Sequence, residues 1–507
     1  MESLLAALTY VLQPYHIGVV FFGTLIGILV GAMPGLSSIM GLSIMMPLTL
    51  SLDGNAGILM LLGVFCGAIY GGSITAILIK TPGTANSAAT VLDGYPMATT
   101  LHQPGRAISI STMASTFGGL FSAVMLLWTA PLLSKFALKF GAAEYFALAV
   151  FGLSVIAGVS NDSIFKGLIA ACLGLFMTTI GVDAISGTAR FLFGQKKLMA
   201  GIDLIIALIG MFAISEVLTK SKYDPKTDHK IYDAKSLTKD KITKEEYRRC
   251  RKPIGIGSLI GVIIGATPGT GGGLAAFIAY NQVKQASKHP ETFGKGEIEG
   301  VAVSESANNG ACGATMIPML TLGVPGDGAT AILMGAFMLH GMVPGPSLFA
   351  EQGDILYAIM LGLIVVNVFM YIVGNGLTRF YAHITRIPYE ILAPIVLTFC
   401  IAGSYSTNNR IYDIYIILIF GIVSYFLRRM GFQLVPILLG IVLGPLAEKN
   451  FRRAIVISEG SLDIFFTRPI SCAFLVIAIA SVVIFGVRNY KDKKQKKQAA
   501  QASAQAK

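Results

Sequence analysis

Stretches such as Ile355 to Val373 and Ile470 to Val487 contain no charged residue, and similar apolar runs recur along the chain. In hydrocarbon a backbone must satisfy its own hydrogen bonds, so runs of this kind are expected to be membrane-crossing helices. The rest of the composition agrees. Of 507 residues 54% are hydrophobic and 13% charged, about half the charge of an ordinary soluble domain, and mean hydropathy is +0.69. At ~20 residues per crossing, about 11–13 spans fit. Met1-Glu2-Ser3 lacks the basic start of a signal peptide, so the first membrane segment is expected to direct insertion.

The net charge of +12 is concentrated in two places. Residues 220–252 hold 12 Lys/Arg against 6 Asp/Glu, and residues 488–507 hold 7 against 1; what remains is 20 of each sign. By the positive-inside rule both segments lie in the cytoplasm. They flank hydrophobic spans and lack interleaved aromatics, which argues against nucleic acid as a partner. The cysteines and histidines are scattered, with no CxxC and no HExxH, so no metal site or disulfide framework is expected.

Gly-Pro breaks inside the apolar segments recur in order. Gly27-Ile-Leu-Val-Gly31-Ala32-Met33-Pro34-Gly35 is matched by Gly261-Val-Ile-Ile-Gly265-Ala266-Thr267-Pro268-Gly269, and Pro82-Gly83 by Pro325-Gly326. Gly94, Glu144 and Asn161-Asp162 have counterparts in Gly341, Glu390 and Asn408-Asn409. Ordered landmarks at a nearly constant offset indicate a duplicated half. The organisation expected is a first transmembrane repeat (1–219), a basic cytoplasmic linker (220–252), a second repeat (253–448), a connection with a final helix (449–487) and a basic tail (488–507). With linker and tail on one side and one further span after the second repeat, each repeat crosses an odd number of times. The fold expected is an all-α polytopic membrane protein of two inverted-topology repeats with broken helices or re-entrant hairpins, its N-terminus outside.

In Lys80-Thr81-Pro82-Gly83-Thr84-Ala85-Asn86-Ser87, proline removes a donor and glycine admits positive φ. Non-helical backbone at that depth must be buried in protein or line a wet cavity. A helix starting near Thr84 would aim its positive end there and bind an anion without Lys or Arg. The second half repeats the design, with Ser304-Glu305-Ser306-Ala307-Asn308-Asn309 ahead of Val324-Pro325-Gly326-Asp327. The candidate substrate-binding residues are therefore Gly35, Thr81, Pro82, Gly83, Thr84, Asn86 and Ser87, with Gly269, Thr270, Asn308, Asn309, Pro325, Gly326 and Asp327. Glu305, Asp327 and Asn308 are the ion-coupling candidates, since ionisable groups at membrane depth are functional by default. A single break reads more simply as a packing kink; matched pairs weigh against that. Glu144 and Glu390 read as helix caps, and the Asn pairs as turns. No catalytic residue or resident cofactor is expected.

The runs GxxxGAxPG, Gly71-Gly72-Ser73, KTPGTANSAATVLDGYPMA, GATPGTGGG, SESANNGACGA, TLGVPGD and Thr467-Arg468-Pro469-Ile470 resemble the large transmembrane subunit of the tripartite tricarboxylate transporters, over about residues 10–490. The resemblance implies a multi-pass carrier of the bacterial inner membrane driven by an ion gradient, Na+ or H+. It also implies a small four-span membrane partner and a periplasmic solute-binding protein. The substrates implied are citrate-like tricarboxylates, dicarboxylates and other carboxylates. Asp327 stands where the family pattern has a small polar residue such as Ser; an acid there disfavours a highly charged anion or adds a proton site. Among rival classes, an ATP-driven pump lacks its GxxxxGK[ST] loop. An intramembrane aspartyl protease would need its Tyr-Asp before its Gly-x-Gly-Asp, and Tyr412-Asp413 follows Gly326-Asp327. A passive anion channel is the nearest alternative, because broken helices also line pores.

Overall fold

The computed structural model describes residues 2–33, 36–154, 164–183, 185–220, 237, 242–384 and 389–483. Most are helical, and the only sheet among them is a two-residue antiparallel ladder, Gly181–Val182 with Ala189–Arg190. Seven described helices are long and apolar enough to cross a membrane, and five shorter apolar ones accompany them. The protein is an all-α polytopic membrane protein.

The chain forms two compact units, Met1–Leu138 with Ile205–Tyr425, and Lys139–Leu204 with Phe426–Lys507. The first contains every described candidate substrate and ion residue. Its helices used below are α1 (Pro14–Ala32), α2 (Ser38–Met45), α3 (Gly54–Ile79), α4 (Val91–Thr99), α5 (Pro104–Ala137), α6 (Lys244–Gly265), α7 (Gly271–Ala286), α8 (Ile298–Leu322), α9 (Gly328–Leu339) and α10 (Gly353–Gly376).

Small residues determine how these helices pack. Lipid gives no hydrophobic force between helices, so close backbone approach must supply the attraction. Gly23, Gly27 and Gly31 of α1 lie on the backbone of α3; a Cβ on Gly27 would sit 2.6 Å from the Val64 carbonyl oxygen. In α6, Gly257, Gly261 and Gly265 lie in the same way on Val303, Ala307 and Ala311 of α8. These glycines share the offset of the first pair of Gly-Pro motifs, so the matched spacing is accompanied by matched contacts. The longer helices then cross between halves: Gly118 of α5 backs onto Ser306 of α8, and Gly362 of α10 onto Leu59 of α3.

The two central helices, α3 and α8, are buried almost throughout, and they stop in the same manner. Lys80 (φ 60) and Gly323 (φ 71) enter the left-handed region, and a proline follows two residues later, as at many helix C-termini. No helix continues through Pro82 or Pro325. Beyond each stop the chain folds back along its own helix, Gly83 onto Gly72 and Gly326 onto Thr315.

A helix begins inside the segment read as the linker. Helix α6 starts at Lys244, where Thr243 and Glu246 form a reciprocal capping box. Glu246 also pairs with Arg106, so the end of the basic segment is the first two turns of a helix. Pro34, Gly35, Asn161-Asp162, most of 220–241 and the tail 488–507 lie outside the described residues.

In the second unit, Ala142–Ser154, Ile164–Thr178 and Leu434–Ile457 pack as a small bundle, with Gly174 and Gly440 in backbone contact. Asp183, Arg190, Glu448 and Arg452 form an ion cluster, with Asp183–Arg452 and Arg190–Glu448 both at 2.7 Å. The Ser186 hydroxyl, the Ile185 N–H and Arg452 hold the Asp183 carboxyl well below the usual carboxylate range. Glu144 is a cap, accepting the Gly141 N–H at 2.8 Å, and also pairs with Arg468 of the Thr-Arg-Pro motif. Asn409 is in the left-handed region where its helix ends, as expected of a turn.

Candidate substrate and ion site

Thr84 and Ser87 fasten the first break to its own helix. The Ser87 hydroxyl donates to the Thr84 carbonyl at 2.9 Å, and the Thr84 and Ser87 hydroxyls are 3.2 Å apart. Both lie against Gly72, and the Gly83 N–H donates to the Gly72 carbonyl at 3.2 Å. Thr81 bonds back to the Ile79 carbonyl. Lys80, the basic residue of this motif, lies over the Tyr95 ring at 5.6 Å. Asn86 is left to face the other half, on the short 3-10 turn Ala85–Ala88.

The second half supplies what Asn86 meets. Thr267 to Thr270 turn sharply and α7 begins at Gly271-Gly272-Gly273. A side chain on Gly272 would put its Cβ 3.0 Å from the Asn308 carbonyl and amide oxygens and 3.1 Å from Asn86 Nδ2. Gly273 is as close to the Ala85 carbonyl, at 3.2 Å. Two asparagines, one from each half, thus converge over the first turn of a sixteen-residue helix, whose leading N–H groups have no intrahelical acceptor. Asn308 is fully buried, and neither its Nδ2 nor its Oδ1 has a hydrogen-bond partner. Leaving a buried amide unpaired costs ~1–3 kcal/mol per group, so such a group calls for a functional explanation.

The remaining candidates take separate places. The Thr270 hydroxyl turns back to the Ile264 and Thr267 carbonyls at the end of α6. The Gly269 N–H donates to the Gly326 carbonyl at 2.7 Å and ties the two second-half breaks together; Pro325 and Gly326 are buried. Asp327 caps α9, accepting the Thr330 N–H and hydroxyl at 2.8 Å each, with its side chain 3.4 Å from where a Gly271 Cβ would be. Asn309 is also buried: its amide donates to the Glu305 carbonyl at 3.2 Å, its side-chain oxygen has no partner, and its backbone carbonyl accepts from Ser122.

Glu305 is one turn before Asn308 on α8 and fully buried. Its carboxylate accepts from Ser73 of α3 at 2.8 Å, from Ser115 of α5 at 2.7 Å and from Thr90, the residue before α4. These hydroxyls come from three separate first-half elements. The sequence pointed to Glu305 by its charge and to Ser73 and Thr90 only as parts of motifs; Ser115 has no local signal. Among the described residues no cluster of His, Cys, Asp and Glu could hold a metal ion.

A family model described as the tripartite tricarboxylate transporter TctA family matches residues 17–439. The chain belongs to that family. An Agrobacterium vitis protein described as an uncharacterized 52.8 kDa protein in the TAR-I ttuC' 3' region is 39% identical over 96% of this chain and 96% of its own length. A second Agrobacterium vitis protein, described as uncharacterized in the TAR-II ttuC' 3' region, is 41% identical over 45% of this chain and 93% of its own. No solved structure matches. Membership in TctA makes this chain a transport protein, and Asn86, Glu305 and Asn308 lie within the matched residues.

Proposed function

We propose that this TctA protein is the large, substrate-translocating subunit of a binding-protein-dependent carrier that imports a small carboxylate on an ion gradient across the bacterial inner membrane. The observation that carries the reading is the buried, partnerless Asn308 amide meeting Asn86 and the first turn of α7. Amides and helix N–H groups can replace the water hydrogen bonds of a carboxylate. No fixed positive charge is then needed, and the anion is not held too tightly to be released. Glu305 is the group through which the gradient acts. Asp327 is a cap beside the site, its negative charge favouring substrates of low charge. A small membrane subunit and a periplasmic binding protein complete the system.

Cells expressing all three components should accumulate one or more members of a labelled di- and tricarboxylate panel above the external level. Accumulation should collapse when an ionophore dissipates the gradient. Equilibration without accumulation would favour the passive channel instead.

The two halves are further proposed to be inverted repeats about an axis in the membrane plane, with linker and tail cytoplasmic. The placement of basic charge, and the odd crossing number that it implies for each repeat, support this. Lys235→Cys and Ala500→Cys should resist a membrane-impermeant thiol reagent in intact cells and react after permeabilisation. Labelling of either in intact cells would reverse the orientation.

A further inference from the structure

We infer that Glu305, with the hydroxyls of Ser73, Thr90, Ser111 and Ser115, forms a sodium site whose occupancy builds the carboxylate site one helical turn away. The inference rests on the carboxylate-carrier reading for the second half of that statement only.

Glu305 is a fully buried carboxylate, and the described side chains that hydrogen-bond to it are the hydroxyls of Ser73, Thr90 and Ser115, none of them cationic. A charge so placed is costly unless a countercharge joins it. Ser111 lies one turn before Ser115 on the same face of α5, and its hydroxyl is buried without a hydrogen-bond partner. Four hydroxyl oxygens and one carboxylate make an all-oxygen donor set, which suits a hard cation. The single negative charge selects a monovalent one, because a divalent ion would leave a net charge in a low-dielectric interior. A proton would bond to one carboxylate oxygen and leave Ser111 unengaged. A sodium ion draws on the lone pairs of all four hydroxyls together.

The coupling follows from chain connectivity. Thr90 belongs to the short segment that also carries Asn86. Glu305 and Asn308 are three residues apart on α8 and so lie on neighbouring turns of one face. A cation that gathers Thr90, Ser73 and Ser115 onto Glu305 fixes the segment 85–90 against α8. Asn86 is thereby held over Gly272 beside Asn308. Without the cation the first-half wall of the anion site is not held. Sodium therefore binds first, and the carboxylate second.

The test uses the full chain with its small membrane subunit, purified without carboxylate. Thermal unfolding is followed as NaCl replaces choline chloride at constant ionic strength, at pH 6.5, 7.5 and 8.5, with KCl as a parallel series. The expected result is a saturable rise in Tm with Na+, absent with K+ and present at each pH. Glu305→Gln should abolish it. Ser111→Ala removes a hydroxyl without a partner, so its Tm in choline should match the wild type, while its Na+ midpoint should rise by about tenfold or more. In proteoliposomes the carboxylate KM should fall as Na+ rises. A wild type indifferent to Na+, a Na+ response retained in Glu305→Gln, or an unchanged midpoint in Ser111→Ala would each overturn the site. If the Tm response appears as described but no carboxylate is transported, the sodium site stands and the functional reading fails. If carboxylate uptake runs on a proton gradient without Na+, the reverse holds.

Discussion

Asn308→Ala and Asn86→Ala are each expected to lower carboxylate uptake about 10- to 100-fold at limiting substrate, since a hydrogen bond to a charged group is worth ~1.5–3 kcal/mol. The loss should appear in KM more than in the amount of protein inserted. Asn308 donates to nothing else in the protein, so its removal costs no internal hydrogen bond, and the Asn308→Ala protein should be at least as stable as the parent. That combination separates a ligand-binding amide from a structural one. Truncating a structural asparagine lowers Tm and uptake together. Asn309→Ala should show the structural pattern in part, because it loses a bond to the Glu305 carbonyl. If Asn86→Ala and Asn308→Ala both transport normally at limiting substrate, the convergence over α7 is packing, and the site lies elsewhere. Asn86→Asp adds a charge at the same position and should be more damaging than alanine.

Much of this was legible in the sequence, for a definite physical reason. Pro82, Gly83, Pro325 and Gly326 act on the backbone locally, so their effect does not depend on the neighbours, and both breaks stand where the sequence puts them. The pairing of the motifs was legible because they recur in order at a nearly constant offset. Side-chain direction was not. Thr84 and Ser87 sit within three residues of Asn86, yet their hydroxyls turn onto Gly72 while Asn86 turns to the other half. Asp327 reads as a membrane-depth charge in the sequence, and in the fold its carboxylate is engaged by the first turn of α9. The hydroxyls around Glu305 come from residues 73, 90 and 115. Only tertiary packing brings such distant positions together, and serine is too common in membrane helices to stand out. The α6 start was different: Thr243-x-x-Glu246 is a local capping signal, but it lies inside a charged stretch that draws the eye to its net charge instead.

Gly83→Ala and Gly326→Ala should each abolish most transport and lower thermal stability, and the two should resemble one another. At Gly83 a Cβ would strike the Gly31 carbonyl oxygen and lie 2.9 Å from Gly72 Cα and 3.0 Å from Thr75 Oγ1. At Gly326 it would lie 2.6 Å from both the Cα and the carbonyl oxygen of Thr315. The obstacles are mostly backbone atoms of buried helices, which cannot rotate away as a flexible side chain can. Overpacking of this kind costs about 1–3 kcal/mol or more, and relief requires the returning chain to lift off its helix. At Gly83 that shift moves Thr84 and Ser87 off Gly72 and carries Asn86 away from Asn308. At Gly326 it breaks the Gly269 N–H bond and displaces the turn before α7. One wall of the same site is therefore lost in either case. Gly255→Ala serves as the control, since a Cβ there meets nothing within 4 Å and alanine favours the helix by roughly 0.5–1 kcal/mol. It should leave uptake unchanged and Tm equal or higher. The measurement is Tm of the purified protein beside initial uptake rate, normalised to inserted protein. If Gly83→Ala and Gly326→Ala keep parental uptake and Tm, the chain does not lie against α3 and α8 at the breaks as described, and the site drawn from those contacts fails with them.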